Sequence, residues 1–404
     1  MGILSGSDIE RINDNIDSKL KEKINSTIGT EKEKPLDFFS KTILANDGHF
    51  YSPKMDYGLK AQTGSQGVFQ QSYGGAFIAL SSARGLIYCL SPYETSSTNF
   101  CPCTLSVDNL SQSSGNSVNK NYYVTGSSTS KLIGITYDEV TDSVFYTAGF
   151  SQDGGTIISI SKFTGDLSTR VAKVQVQANN SLVVAGEGYV YDINGGSPTI
   201  KKYNANNLAL IGTYAINGLI AILSASYSDG YLYCCVRFIG KTSFSLIKID
   251  VDTFNIQQAI GGESTEENPS FSYTQCMDSD YLYIYATVSS KRYIYKIRKT
   301  DFTVIAKVDL GTEILSATSF SNIPYAACYK GFAIFTCSPR TEMLILDTST
   351  MLFSVQATST DGGLAVHDNN PSYDNALYYF VGIKRVQKYI DIAFTVSGEY
   401  ERVE

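Results

Sequence analysis

The 404-residue sequence reads as an all-β chain, and three observations carry that reading. The first is composition. With 29 Tyr and 20 Phe against 5 Met and no Trp, and with Ser, Ile, Asn, Thr and Gly abundant, the chain favours strands and turns over helices. The second is a repeated phrase, "YLYCCV" from Tyr231 and "YLYIYA" from Tyr281, 50 residues apart. The third is the grammar that follows each phrase: a strand, a polar turn, a second strand, a short turn and a third strand. The third strand comes after "DTF" or "TDF", where Asp and Thr can bond their own backbone and close a tight turn.

The same grammar begins at Gly85, Ser143, Gly188, Tyr231, Tyr281, Gly331 and Ala376, at spacings mostly of 42 to 51 residues with one wider gap after the first. A period of about 40–50 residues holding several short strands marks a β-propeller. A further strand precedes most units: "LIGITYD", "SLVVAG", "AILSASYS", "SYTQCMD", "ILSATSF" and "GLAVHD". Four strands per unit predict a single propeller of seven four-stranded blades, whose ring leaves no open sheet edge between blades. The first and last units are the least regular, which keeps six and eight blades open. A solenoid keeps a shorter and more regular period, and stacked β-sandwiches need no repetition.

The cadence of "IKIDVDTFNI" resembles that of Kelch-, WD-repeat- and quinoprotein-like propellers, over residues 65–404. The chain has no Gly-His…Trp-Asp pairs and no Kelch double glycine followed by Tyr and Trp. The resemblance therefore implies an architecture and no activity, because propellers host enzymes, scaffolds and lectins alike.

Residues 1–34 differ in kind. Ser7 with Glu10 forms a capping box, and Ile9, Ile12, Ile16, Leu20, Ile24 and Ile28 then recur every three or four residues up to Gly29. The expectation is an N-terminal amphipathic α-helix whose narrow apolar stripe needs a partner surface. Three partners compete: the chain's own propeller, a second copy in a short coiled coil, or another protein. The charged "TEKEKP" behind it reads as a linker and favours outward docking. Residues 35–75 read as a connecting β segment, ring-closing or an adapter, and 76–404 as the propeller.

The net charge of −7 and the scattered Lys and Arg argue against nucleic acid, and no stretch of about 18 apolar residues argues for membrane insertion. The N-terminus lacks a basic region followed by an apolar one, and Gly6 stands where myristoylation wants Ser or Thr. Synthesis in the cytoplasm without a signal peptide follows as the expectation. The eight cysteines form no C-x-x-C clusters and sit in strand-like runs, so they read as reduced structural residues.

No catalytic, cofactor or metal site is expected. Only His49 and His367 occur, far apart, and "DVDTF" at Asp250–Phe254 lacks the glycine and distant Glu of a calcium loop. The box from Ser151 to Ile158 resembles the Asp-box of sialidase-like propellers, with Ile158 in place of the aromatic. That resemblance implies turn roles for Asp153 and Gly155. Recognition is expected in two polar loops: Ser91–Lys131, carrying Tyr93, Phe100, Tyr122 and Tyr123, and the acidic Gly261–Tyr273.

The functional expectation is a non-catalytic structural and adhesive component of a phage or phage-tail-like particle. Its helix would dock on other particle proteins, and its propeller would bind a cell-surface glycan or protein. The likeness to phage tail and tailocin fibre proteins is one of style. A carbohydrate-active hydrolase or lyase on a propeller frame, which needs two facing carboxylates, is one alternative. A cytoplasmic scaffold that recruits partner proteins is the other.

Overall fold

The computed structural model describes residues 43–44, 50–61, 78–92, 99–108, 122, 124–125, 132–153, 157–176, 181–265, 267–289, 291–311, 326–337, 342–357, 364–367, 376–381 and 385–403. The chain divides into two compact units, one spanning 59–392 and the other holding the described residues of 43–58 and 393–403. In the smaller unit, β1 (Ile43–Leu44) pairs antiparallel with β2 (Phe50–Ala61), Ile43 opposite Tyr51. The expected helix at 1–34 lies outside the described residues.

The larger unit is a β-propeller. Blade 1 holds β3 (Ala79–Ser81), β4 (Leu86–Pro92), β5 (Asn99–Ser106) and β6 (Val124–Thr125). Blade 2 holds β7 (Leu132–Asp138), β8 (Ser143–Ala148), β9 (Ser159–Thr164) and β10 (Arg170–Gln175). Blade 3 runs through β11 (Ser181–Gly186), β12 (Tyr189–Asn194), β13 (Thr199–Asn204) and β14 (Leu210–Ala215). Blade 4 runs through β15 (Leu219–Ser228), β16 (Tyr231–Phe238), β17 (Ser245–Asp250) and β18 (Ile256–Gly261). Blade 5 has β19 (Ser270–Met277), β20 (Tyr281–Val288), β21 (Lys291–Arg298) and β22 (Val304–Asp309). Blade 6 has β23 (Ala326–Tyr329), β24 (Phe332–Cys337), β25 (Glu342–Asp347) and β26 (Phe353–Ala357).

The four-stranded blades number six, not seven. The last repeat builds a different object: β27 (Leu364–His367), β28 (Ala376–Val381) and β29 (Arg385–Val403) enter a five-stranded sheet of order β1-β2-β29-β28-β27. The seventh repeat supplies three of those strands and the start of the chain supplies the other two. The innermost strands touch one another in chain order, and β27 touches both β23 and β3, which closes the ring.

Two further expectations are corrected. Blade 6 takes "AACY", Ala326–Tyr329, as its inner strand, because the short strand before Lys330-Gly331 folds straight back on β24, and "ILSATSF" lies outside the described residues. The stretch Ser91–Lys131 is no single loop. It contains β5, whose Cys101, Cys103 and Leu105 are buried, together with β6.

Within a blade, the second and third strands are apolar on both faces because a neighbouring blade covers each side. In β16, Cys234 joins the core shared with blade 3 while Cys235 joins the core shared with blade 5. Outer strands such as β10 and β14 instead alternate between half-buried and exposed, since the rim faces water.

A five-residue turn between third and fourth strands recurs at 165–169, 205–209, 251–255, 299–303 and 348–352. Each carries an apolar residue with positive φ at 56–60°: Leu208, Phe254, Phe302 and Met351 at the fourth position and Leu167 at the third. Non-glycine residues avoid this region at a cost of about 1–2 kcal/mol, so something must compensate. Local caps contribute: Asp250 Oδ1 accepts from the Asp252 and Thr253 amides at 3.0 and 2.8 Å, as "DTF" suggested. The larger compensation is burial in the preceding blade. Phe254 of blade 4 lies against Tyr214 and Tyr191 of blade 3, and Phe302 of blade 5 lies against Tyr233 of blade 4.

The preceding blade also reaches back. Tyr378 Oη of the closing sheet donates to Val107 O of blade 1 at 2.7 Å, and Tyr88 of blade 1 to Gly165 O of blade 2 at 2.6 Å. From blade 2 onward an ammonium takes over. Lys162 donates to Asn206 O, Lys202 to Val251 O, Lys248 to Lys299 O and Lys296 to Thr348 O, at 2.6, 3.0, 2.9 and 2.7 Å. Three of these ammoniums also lie over a tyrosine of their own blade: Lys202 on Tyr189, Lys248 on Tyr231 and Lys296 on Tyr281, 4.0–4.2 Å from the ring centroids. Burial pulls the Lys162, Lys248 and Lys296 amines below the usual lysine range.

Two outcomes follow. Phe254→Ala should lose about 3 kcal/mol in urea unfolding, and Phe254→Gly should be about 1 kcal/mol more stable than the alanine variant, because glycine relieves the positive φ. Lys248→Met keeps the stem and removes the donor. It should cost about 2 kcal/mol, whereas Lys201→Met, on the other face of β13, should stay within about 0.5 kcal/mol of the parent.

Candidate functional site

A four-stranded meander puts the first and third connections of each blade on one face of the ring and the second connections, with the links between blades, on the other. The first face carries short first connections of two to four residues and a recurring five-residue third connection. Its first connections are 82–85, 139–142, 187–188, 229–230, 278–280 and 330–331, and its third are the five-residue turns of blades 2 to 6. Only blade 1 departs, with a third connection of 107–123.

Neighbouring turns on this face are tied together. Ser82 N donates to Glu139 at 2.9 Å, Gly188 N to Asp138 at 3.0 Å, and Arg84 pairs with Asp142. Lys299 is the most connected of these groups. Its buried ammonium donates to Ser228 Oγ, Asp229 Oδ2, Asp278 O and Ser279 O at 2.8–3.1 Å.

The opposite face keeps no fixed length. Its second connections run from 289–290 in blade 5 to 149–158 in blade 2, and its inter-blade links from 216–218 to 310–325. Around blades 4 and 5 three of these connections form one surface. Ile239 N donates to Gly218 O at 2.9 Å, and both Ile239 and Ile220, two residues beyond Gly218, are exposed. The acidic loop singled out in the sequence folds back on itself: Gly262 N donates to Pro269 O at 2.9 Å and Thr265 N to Asn268 O at 3.0 Å. Ser289 N then donates to Ser264 O at 3.1 Å, and Lys241 Nζ pairs with Glu263 at 2.6 Å. The hydrogen bond and charge of Lys241 hold the Glu263 carboxyl below its usual range. The ion pair and the backbone bond thus join the connections 239–244, 262–269 and 289–290, and Ile239 stands exposed at the start of the first of them.

The other predicted positions fall differently. Tyr93 and Tyr123 lie outside the described residues, as do His49 and Gly155. Phe100 sits in β5 opposite Val124, and His367 in β27 opposite Ala376. Tyr122 is half-buried and meets Phe150 and Phe163 of blade 2 edge-on, with the Arg170 guanidinium 4.8 Å from its ring centroid.

Asp153 ends a 3₁₀ turn and takes both ends of the Arg170 fork at 2.9 and 3.0 Å, with Lys173 at 2.5 Å. Burial alone would raise this carboxyl, but the bonds to Arg170 and Lys173 outweigh it and hold it below the ordinary value of 3.8. The anchor escaped sequence reading because Asp153 and Arg170 stand 17 residues apart in different elements. Among the described residues no group of three or more His, Cys, Asp or Glu could hold a metal ion.

No protein-family model matches the chain, and no curated protein matches it. Solved structures do. The WD40 domain of Toxoplasma gondii coronin superposes with a TM-score of 0.52 at 10% identity, covering 86% of this chain and 88% of that one. The Myceliophteria thermophila Cps50 (Swd1) β-propeller domain gives 0.53 at 8% identity, covering 81% and 99%. At such identities the likeness is one of fold, and the fold is the β-propeller that the repeat indicated.

The Asp153 anchor has a testable pH signature. Its depressed carboxyl stabilises the native state fully above the unfolded value near 4, and that stability is lost as pH falls through the lower native value. Asp153→Asn should cost about 2–3 kcal/mol at pH 7, and its difference from the parent should shrink below pH 4 in chemical unfolding.

Proposed function

We propose that the protein is a non-catalytic binding module whose variable face recognises another macromolecule. One observation carries this reading: on one face the third connections of blades 2 to 6 all have five residues and the first connections have two to four, while on the other face the connections run from two residues at 289–290 to sixteen at 310–325. Repeated turns serve the ring, which is common to all blades. Irregular connections on a rigid frame are where recognition residues are normally placed. Exposed Ile220 and Ile239 together with the Lys241–Glu263 pair supply the mixture of apolar and charged groups that suits a protein contact. A propeller scaffold for protein interaction fits both the fold and this surface.

Within that reading, the sequence pattern of residues 1–34 supports a docking role, with Ile9, Ile12, Ile16, Leu20, Ile24 and Ile28 as the contact stripe. We propose that this segment attaches the propeller to other proteins of a phage or phage-tail-like particle, leaving the variable face for a cell-surface protein or glycan.

The test is binding of the labelled full-length protein to a panel of intact bacteria. Ile239→Asp should reduce binding at least tenfold, while Val140→Asp, an equally exposed change on the repeated-turn face, should leave it intact. Equal binding by both variants would sink the face assignment. Binding to no strain, with stable soluble partners recovered through the propeller, would favour the intracellular scaffold over the particle component.

A further inference from the structure

Of the eight cysteines, seven are free of a disulfide and six of these are buried, while the side chain of Cys337, the last residue of β24, lies outside the description. They are not equivalent. Cys234 and Cys235 are consecutive in β16, face opposite blades and enter different cores, so they cannot meet. Cys89 and Cys103 are opposite one another across the β4–β5 ladder, and their sulfurs stand 3.2 Å apart, both buried in the core that blade 1 shares with the closing sheet. Directly opposed residues in an antiparallel pair have Cα atoms about 4.5 or 5.5 Å apart, and both spacings fall within the range of disulfides. Closing the bond to about 2.05 Å asks for side-chain rotation and no change of register. Cys101, two residues before Cys103 on the same strand, is opposed by Ser91.

We propose that Cys89 and Cys103 form a dithiol site that closes to a disulfide inside blade 1 when the chain folds in the presence of a small disulfide oxidant such as oxidised glutathione. The step balances. One thiolate attacks the glutathione disulfide and releases one glutathione. The second thiolate then attacks the mixed disulfide, forms the protein S–S bond and releases the other, and the two thiol protons pass to the two glutathione molecules. Blade 1 is the place where such a link has structural purpose. Its fourth strand is only the two residues Val124–Thr125, and its third connection is not the five-residue turn of the other blades. Both sulfurs are sealed in the core of the finished ring, and the hydrogen bond to Cys103 together with burial pushes the Cys89 thiol up, so closure belongs to folding.

The experiment refolds the full-length protein from urea with oxidised glutathione or with dithiothreitol, alkylates it in denaturant with N-ethylmaleimide, and weighs the tryptic peptide 85–120. That peptide contains Cys89, Cys101 and Cys103. The reduced sample should carry three maleimides and the oxidised sample one. In Cys101→Ser the oxidised peptide should carry none, and in Cys89→Ser it should carry two. Three maleimides on the oxidised parent, a glutathione adduct in place of the loss, or closure that survives Cys89→Ser would each overturn the assignment.

Discussion

The ring depends on one junction used again and again. A turn between two strands offers its neighbour an apolar side chain and a backbone carbonyl. The neighbour answers with a tyrosine hydroxyl or a lysine ammonium. Stacked sheets alone would be held by apolar area, which is strong but tolerant of sliding. A buried carbonyl with a single donor in reach is not tolerant, because a shift of one residue leaves it unsatisfied. The lysines are suited to this work. Lys202, Lys248 and Lys296 lie over aromatic faces while the ammonium reaches across to the neighbouring turn, and burial lowers the amines of Lys162, Lys248 and Lys296.

The same junction explains how much of the fold was legible. Strand pairs such as Tyr231–Phe238 with Ser245–Asp250 announce themselves because both faces are apolar and the turn between the third and fourth strands needs Asx and Thr caps. The joining lysines were also in plain sight, three times as Tyr-x-Tyr followed by Lys in the next strand, but their meaning requires knowing that Tyr233 and Lys248 stand opposite each other. What failed to show were elements that depend on distant chain. The last repeat looked like one more four-stranded blade, yet its sheet takes β2 from the other end of the sequence. Blade 1 hid its third strand within a stretch of Ser and Thr, since "CPCTLS" carries little pattern beyond burial. The surface around blades 4 and 5 was half-seen: the loop 262–269 was singled out, while Ile220 and Ile239, ordinary residues at strand ends, were not.

The division of labour between the two faces follows from this geometry. The five-residue turns cannot vary freely, because each carries the plug and the carbonyl that its neighbour requires. Connections on the opposite face meet no such demand and can lengthen at small entropic cost. Their independence is only partial: Lys241, Glu263, Ser264 and Ser289 join three of them into one surface, so a change in one loop is felt in the next.

One junction breaks the rule. In blade 6 the positions that carry tyrosine and lysine elsewhere are Ile334 and Ile345, opposed in the β24–β25 ladder, so neither can donate to a carbonyl of the closing sheet. An apolar pair at this place keeps the area of contact but gives up the element that fixes register. At this position the junction is held by apolar contact, which is strong but tolerant of sliding, so the opposed isoleucines mark the place where the recurring tyrosine or lysine donor gives way to packing.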